Sequence, residues 1–123
     1  MHPIHSEQAP AAIGPYSQAI QMGNFLFTSG QIGIIPATGE MAQGVEAQTE
    51  QVMRNLGAIL KENGMDYANI LKTTVFVADL NDFAKVNAIY AGFFSADYPA
   101  RSCVQVAALP KNALVEIECI AAK

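Results

Sequence analysis

Two helical patterns stand out among the hydrophobic and polar positions of the chain. In residues 45–63 the apolar side chains recur at helical spacing, and Asn63-Gly64 provides a stop signal at the end. A second pattern covers about residues 82–95 and can be capped by Asn81 or Asp82. Its apolar face consists of Phe83, Val86, Tyr90 and Phe93. The chain is therefore predicted to form two amphipathic helices.

Strand patterns occupy the first third of the chain. Residues 1–15 are rich in proline and are expected to form extended chain and loop. Residues 16–22 and 25–29 are predicted to pair as a hairpin that turns at Gly23-Asn24. Residues 36–39, from a proline to a glycine, mark a second tight turn.

Three further strands are predicted in the second half. Residues 70–79 form a β-branched run, which is typical of a strand buried on both faces. Two more strands follow near 102–107 and 114–122. In the last strand Glu116 and Glu118 share one face, because successive side chains of a strand alternate between faces.

The order of these elements predicts an α+β fold in a single domain spanning residues 1–123. One sheet that is covered on one face by two helices is the simplest packing. Hydrophobic residues make up 51% of the chain and charged residues only 15%, so few charges remain to solvate the uncovered sheet face. We therefore expect other copies of the chain to cover that face.

Composition also narrows the functional classes. The net charge of −4, with only 7 Lys and Arg, argues against binding to the phosphate backbone of nucleic acids. Cys103 and Cys119 lie on apolar, strand-like stretches and are expected to be reduced core thiols of a cytoplasmic protein. The sequence shows neither a signal pattern at its start nor an apolar run long enough to span a membrane.

Motifs for phosphate, dinucleotide or zinc binding are absent from the sequence. The only histidines, His2 and His5, lie near the chain end without a cysteine or a third histidine close by. Neither a metal site nor a histidine-activated nucleophile is therefore expected, and no cofactor is predicted.

Arg101 is the first candidate for binding a ligand. It follows Pro99-Ala100, which keeps the preceding chain stiff and extended. A planar guanidinium also matches a carboxylate better than a flexible lysine does. The alternative is a salt bridge to a surface acid, and composition alone favours that alternative.

The other candidates are polar groups whose role the residues leave open. Partial burial in an apolar strand would raise the pKa of Glu116 and let it deprotonate water, although both glutamates of that strand can equally face solvent. Cys103 is more typical of a core thiol than of a nucleophile, because no histidine is available to activate it. Tyr16 and Ser29, at the ends of the predicted hairpin, and Asn87, beside the apolar helix face, either line a cleft or face water.

Four segments, in order from about Ala9 to Ala121, carry a resemblance to a known family. They read IGPYSQAI, FTSGQIG, KTTVFVADLNDFAKVN and PARSCVQVAALPKNALVEIECIA. Together they resemble the RidA family of reactive-intermediate deaminases, also called the YjgF or endoribonuclease L-PSP family. The resemblance implies a chorismate-mutase-like α+β fold and a homotrimer whose sheets form a central barrel, with clefts between the subunits.

The resemblance also implies a reaction and the residues that perform it. Members with this arginine hydrolyse 2-imino acids and their enamine tautomers, which pyridoxal-phosphate enzymes release from threonine or serine. Arg101 would bind the substrate carboxylate, while the backbone at Cys103 and the carboxylate of Glu116 would position the attacking water. The residues implied to line the cleft are Tyr16, Ser29, Gly30 and Asn87.

Two positions depart from the family pattern. Ala108 stands where many relatives have an arginine, and Cys119 stands where a small or aliphatic residue is usual.

The leading hypothesis for the function is a 2-iminobutanoate/2-iminopropanoate deaminase. The alternatives are a regulatory module that binds a 2-keto acid without turnover and a translation inhibitor that cleaves RNA. The acidic charge and the lack of a core histidine pair disfavour the last.

Overall fold

Seven strands form one mixed sheet in the computed structural model, which describes residues 1–123. The strands are β1 (His2–Ile4), β2 (Ala19–Met22), β3 (Phe25–Thr28), β4 (Gln31–Ile32), β5 (Ile70–Val77), β6 (Ala100–Gln105) and β7 (Val115–Ala122). The helices are α1 (Val45–Glu62) and α2 (Phe83–Ala91). The strand order is β1-β2-β3-β7-β5-β6, and β4 also pairs with β7. All pairs are antiparallel except β5 with β6, which are parallel and joined through α2.

Helix α1 supplies the largest helical part of the core and ends as predicted. Beyond its last turn Gly64 adopts the left-handed region with φ 69°. The N–H of Met65 then donates to the carbonyl of Leu60 at 2.9 Å, which closes the helix end. The fully buried apolar residues of the helix are Val52, Met53, Leu56, Ile59 and Leu60.

Helix α2 is shorter than the predicted 82–95. Beyond the helix the backbone N–H groups bond three residues back, so the chain tightens into a turn at Gly92. Asp82 occupies the predicted cap position but accepts no cap hydrogen bond. The side chain of Asp79 instead accepts from the N–H of Asn81, in a short turn that precedes the helix.

The N-terminal predictions need correction. Within residues 1–15, which were predicted to be extended chain and loop, the extended part His2–Ile4 pairs with β2 as an additional strand of the sheet. The hairpin does turn at Gly23-Asn24, but its first strand begins at Ala19 rather than at residue 16. The buried side chain of Gln18 explains the later start, since its amide nitrogen donates to the carbonyl of Pro10 at 2.8 Å and holds the N-terminal segment there.

The register of the sheet defines two faces, which we call the helix face and the open face. On β5, Thr73, Val75 and Val77 point to the helix face and are fully buried. Thr74 and Phe76 point to the open face and are partly exposed. The prediction that this strand is buried on both faces is therefore wrong for a single chain, because the helices cover one face only.

The open face carries exposed apolar side chains. Phe25 and Phe27 are 45% and 44% exposed, and their ring centroids lie 6.2 Å apart. Val104 belongs to the same face by register and is 45% exposed. Part of the apolar excess of the composition thus lies on a surface that nothing in the chain covers.

Candidate functional site

Arg101 lies on β6, the edge strand, and its side chain reaches helix α2 on the helix face. Its Nη1 donates to Oδ1 of Asn87 at 2.7 Å. Its Cζ lies over two aromatic rings, 5.0 Å from the centroid of Tyr90 and 5.4 Å from that of Phe83. A cavity of about 400 Å³ adjoins the guanidinium. The cavity is lined by Asn87, Tyr90, Ala91, Tyr98, Pro99 and Arg101.

No carboxylate of the chain pairs with Arg101. The ion pairs of the chain join His5 to Glu7 and Arg54 to Glu50. The guanidinium of Arg101 instead contacts a neutral amide and neutral rings, which leave its positive charge available. The salt bridge that composition favoured is absent from the chain, and the arrangement suits an anion such as a carboxylate.

Glu116 lies half-buried on the open face of β7, against the backbone of Gly30. A Cβ atom at position 30 would lie 2.8 Å from Cδ of Glu116 and closer still to its Oε2. Burial raises the pKa of Glu116, and the negative charge of Glu118 raises it further. The structure thus shows Glu116 partly buried, which is one of the two possibilities that the strand pattern left open, and its carboxyl group packs where position 30 carries no side chain.

The loop that holds Gly30 is tied to the chain just after Tyr16. The hydroxyl of Ser29 donates to the carbonyl of Ser17 at 2.6 Å, and its N–H donates to the carbonyl of Gln18 at 2.8 Å. Tyr16 is 52% exposed, and its hydroxyl accepts a long hydrogen bond of 3.4 Å from a neighbouring backbone N–H. Glu116, Gly30 and Ser29 thus adjoin one another, with Tyr16 next along the chain.

The two cysteines differ in environment. Cys103 is only partly buried, and it packs against the edge of the hydrophobic core. Burial raises the pKa of its thiol, and the positive charge of Arg101 opposes that shift. Cys119 is a core thiol as predicted, and burial raises its pKa to about 11 although a hydrogen bond from Thr28 lowers it. Ala108, the departure from the family pattern, is exposed in the loop after β6.

The candidate residues fall into two groups on opposite faces of the sheet. Arg101 and Cys103 point to the helix face, where Asn87 meets them from α2, and we call these three the arginine group. Glu116 points to the open face. We call Glu116, Gly30 and Ser29 the glutamate group, and Tyr16 lies one residue before the Ser17 carbonyl that Ser29 contacts. The resemblance implied clefts that lie between subunits, and a single chain leaves the two groups apart.

Sequence reasoning missed the aromatic and hydroxyl residues that hold Arg101. Phe83 and Tyr90 were assigned only to the apolar face of the second helix, and Thr73 only to a buried strand. The sequence spacing does indicate this cluster, because residues four and seven positions after Phe83 lie on the same side of a helix as Phe83. Asn87 and Tyr90 stand at those positions, so the pattern groups one amide with two rings.

The structure contains no group of three or more His, Cys, Asp or Glu residues that could hold a metal ion. His2 and His5 both lie in the exposed N-terminal segment, where His5 pairs with Glu7. No helix has the length and apolar character that a membrane span requires.

Comparison with known proteins places this architecture in a family. The family model described as Endoribonuclease L-PSP matches residues 6–123. The chain is 58% identical to Reactive Intermediate Deaminase A of Arabidopsis thaliana over 96% of its own length and 64% of that protein. It is 54% identical to the 2-iminobutanoate/2-iminopropanoate deaminase of Escherichia coli K12, over 98% of the chain and 96% of that protein.

A solved structure shares the whole fold. The crystal structure of E. coli TdcF with bound serine superposes with a TM-score of 0.97 at 47% identity, covering 100% of this chain and 99% of that one. The expected fold class is therefore confirmed. The chain belongs to the endoribonuclease L-PSP family, the RidA family that its four sequence segments indicated.

Proposed function

We propose that this protein is a 2-iminobutanoate/2-iminopropanoate deaminase, which hydrolyses 2-imino acids to 2-keto acids and ammonia. The observation that carries the proposal is the Arg101 guanidinium, which has no acidic partner and adjoins a cavity of about 400 Å³. The names of two close relatives support the substrate class. The serine in the related TdcF crystal supports it too, because serine carries the same α-carboxylate as a 2-imino acid.

The proposed reaction needs one bound carboxylate, one water molecule and one base. Arg101 binds the carboxylate of the imine. Water adds to the carbon of the protonated C=N bond while Glu116 accepts a proton from the water, which yields a carbinolamine. Glu116 returns this proton to the nitrogen, the C–N bond breaks as the C=O bond forms, the hydroxyl proton passes to Glu116, and the nitrogen leaves as ammonia. Each tenfold acceleration requires about 1.4 kcal/mol of transition-state stabilisation, and placing the water and the base can supply several such factors.

We further propose that the complete site lies between subunits of a homotrimer. The arginine group and the glutamate group lie on opposite faces of one chain, so a second chain is needed to bring them together. The exposed apolar side chains of the open face support the same assembly, because burial against a neighbour would remove them from water. In this proposal the backbone of Cys103 contributes to the site from the edge strand β6.

The assembly is tested by sedimentation equilibrium. We expect a particle of three times the 13.1 kDa mass of one chain. Phe27→Asp should dissociate it, whereas Leu80→Asp should not, although Leu80 is similarly exposed at 47% against 44%. A wild-type protein that sediments as a single chain would contradict the proposal, as would a Phe27→Asp variant that stays trimeric.

The activity is tested by competition with a chemical trap. Threonine and a threonine dehydratase generate the imine in the presence of semicarbazide, which captures it. We expect catalytic amounts of the protein to suppress capture, Arg101→Ala to lose this effect, and Arg54→Ala to retain it. Arg54 is a suitable control because it is an exposed arginine of α1 that pairs with Glu50. Unchanged capture by the wild-type protein would refute the deaminase proposal.

The same preparation distinguishes the alternatives. A regulatory binding module would bind 2-oxobutanoate in calorimetry yet leave imine capture unchanged. A ribonuclease would cut a labelled single-stranded RNA, and we expect the RNA to stay intact because the net charge of −4 disfavours binding.

The cytoplasmic location stays a prediction from the sequence, and cell fractionation tests it.

A further inference from the structure

We infer that the rings of Tyr90 and Phe83 are positioning residues for Arg101, with Thr73 as the anchor of Tyr90, and that they set the preference of the site for a carboxylate over a neutral group. This inference rests on the proposed function, in which Arg101 binds the substrate carboxylate. It assigns a role to three residues that do not themselves contact the reacting atoms.

The anchor is a buried pair of hydroxyl groups. Oγ1 of Thr73 and the phenolic oxygen of Tyr90 lie 2.7 Å apart, so that one donates and the other accepts. Thr73 is fully buried and Tyr90 is 4% exposed. A buried hydroxyl that loses its partner is strongly disfavoured, so this bond fixes the Tyr90 ring relative to β5. The ring also packs against Phe94, with centroids 5.0 Å apart.

The anchor lies directly beside the arginine. Thr73 is the register partner of Arg101 in the parallel pair of β5 and β6. The Tyr90 ring reaches Thr73 from α2, and Cζ of Arg101 lies over that ring at 5.0 Å. Thr73 of β5, Tyr90 of α2 and Arg101 of β6 thus form one contiguous unit. The position of the guanidinium is therefore coupled to the rigid core.

Aromatic rings hold Arg101 without reducing its positive charge, whereas an acidic side chain would neutralise it. A ring face attracts the guanidinium through its quadrupole but carries no net charge. Phe83 adds a second ring at 5.4 Å, and the amide oxygen of Asn87 adds a hydrogen bond of 2.7 Å. The cation is held in place without being neutralised. A bound carboxylate therefore meets a full positive charge in a fixed position.

The inference predicts a selective effect on acidic ligands. If a ring is removed, Arg101 loses its fixed position, so the affinity for a carboxylate falls. The affinity for an otherwise identical amide should stay nearly constant, because a neutral ligand gains little from the charge. In kinetics the loss should raise KM more than it lowers kcat, since the carboxylate contact exists in both the bound substrate and the transition state.

The test measures the affinities of 2-oxobutanoate and 2-oxobutanamide by calorimetry. For Tyr90→Leu and Phe83→Leu we expect the acid to bind at least about tenfold more weakly and the amide to change by less than about twofold. Tyr90→Phe keeps the ring but removes its bond to Thr73, so we expect the acid to bind about threefold to fivefold more weakly, between the wild type and Tyr90→Leu, with the amide unchanged. In an Arg101→Ala background Tyr90→Leu should have no further effect on the acid, because the two changes act through one group.

Two outcomes separate this inference from the proposed function. If Arg101→Ala binds 2-oxobutanoate as tightly as the wild type, the proposed carboxylate contact fails. If Arg101→Ala loses binding while both ring variants keep the wild-type ratio of acid to amide affinity, only the positioning role fails. Should Tyr90→Leu not fold, Phe83→Leu still decides the matter, because Phe83 is 39% exposed and its loss disturbs the core less.

Discussion

Arg101 and Glu116 point to opposite faces of the same sheet. Arg101 is in register with Thr73 on β5, whereas Glu116 is in register with Phe76, three residues further along that strand. Because neighbouring positions of a strand alternate between faces, an odd separation places the two side chains on different sides. A site that uses both is therefore expected where two chains meet.

This geometry predicts complementation between inactive variants. Arg101→Ala and Glu116→Gln should each be inactive alone but should regain activity when they are unfolded together and reassembled. At equal amounts about one quarter of the composite sites receive both intact residues, because each intact residue is present with a probability of about one half. Imine capture by semicarbazide measures the recovery. Recovery near zero, from mixed trimers confirmed by mass spectrometry, would show that both residues act within one chain.

Asn87→Asp should weaken substrate binding, because the new carboxylate would give Arg101 the acidic partner that it lacks. The amide oxygen already accepts from Nη1 at 2.7 Å, so a carboxylate in its place would form a partly buried ion pair with Arg101. That pair would compete with the substrate carboxylate, and we expect KM to rise at least about tenfold. Asn87→Ala, which removes the contact without adding charge, should raise KM by only about threefold. Equal KM values for the two variants would contradict the competition.

The sequence predicted the elements better than it predicted their relative arrangement. Helix α1, the turn at Gly23-Asn24 and the alternation of β7 follow from local spacing, and the structure confirms each of them. Local spacing carries no information about which strands become neighbours. The parallel pairing of Thr73 with Arg101 arises from tertiary packing, and so does the meeting of Arg101 with α2.

The N-terminal strand and the division of the site show the same limit. Nothing in the proline-rich start of the chain indicates that β1 pairs with β2, because local spacing does not show which strands become neighbours. The resemblance implied a site that draws on two chains, and the sheet register shows that one chain holds Arg101 and Glu116 on opposite faces. Glu116 was recognisable as an acid in an apolar strand, whereas its contact with Gly30 was not.

Gly30→Ala should damage the site through the position of Glu116. The added methyl group would lie 2.8 Å from Cδ of Glu116, so the carboxyl group must move. We expect a loss of about 1–3 kcal/mol in the free energy of unfolding, measured with urea, together with a fall in kcat. In a Glu116→Ala background the same change should cost less stability, and failure to see this difference would contradict the clash. Gly92→Ala, whose methyl group would lie 3.4 Å from the nearest atom, serves as the control.

Cys103→Ala should leave catalysis nearly unchanged. Burial raises the pKa of the Cys103 thiol, so little thiolate exists near neutral pH to act as a nucleophile. If only the backbone of Cys103 contributes, kcat/KM in the coupled assay should stay within about twofold of the wild type. A much larger loss, with the trimer intact, would give the thiol a direct role.

Glu116 should impose an acidic limb on the pH dependence of activity. Burial raises its pKa above the ordinary value of 4.5, and the charge of Glu118 raises it further. As a base Glu116 must be ionised, so kcat/KM should increase as the pH rises through this raised pKa. Protein stability changes in the opposite direction. Because the folded state holds the proton of Glu116 more tightly than the unfolded state, the free energy of unfolding falls as the pH rises over the same range.

Glu118→Gln provides the decisive comparison for this pH dependence. Removing the charge of Glu118 leaves burial as the cause of the shift, so the pKa of Glu116 should fall toward its ordinary value. The acidic limb of kcat/KM should then move to lower pH while the plateau stays close to that of the wild type. Glu116→Gln should abolish the limb together with most of the activity. A limb that stays in place in Glu118→Gln, with the trimer confirmed by sedimentation, would mean that a group other than Glu116 titrates.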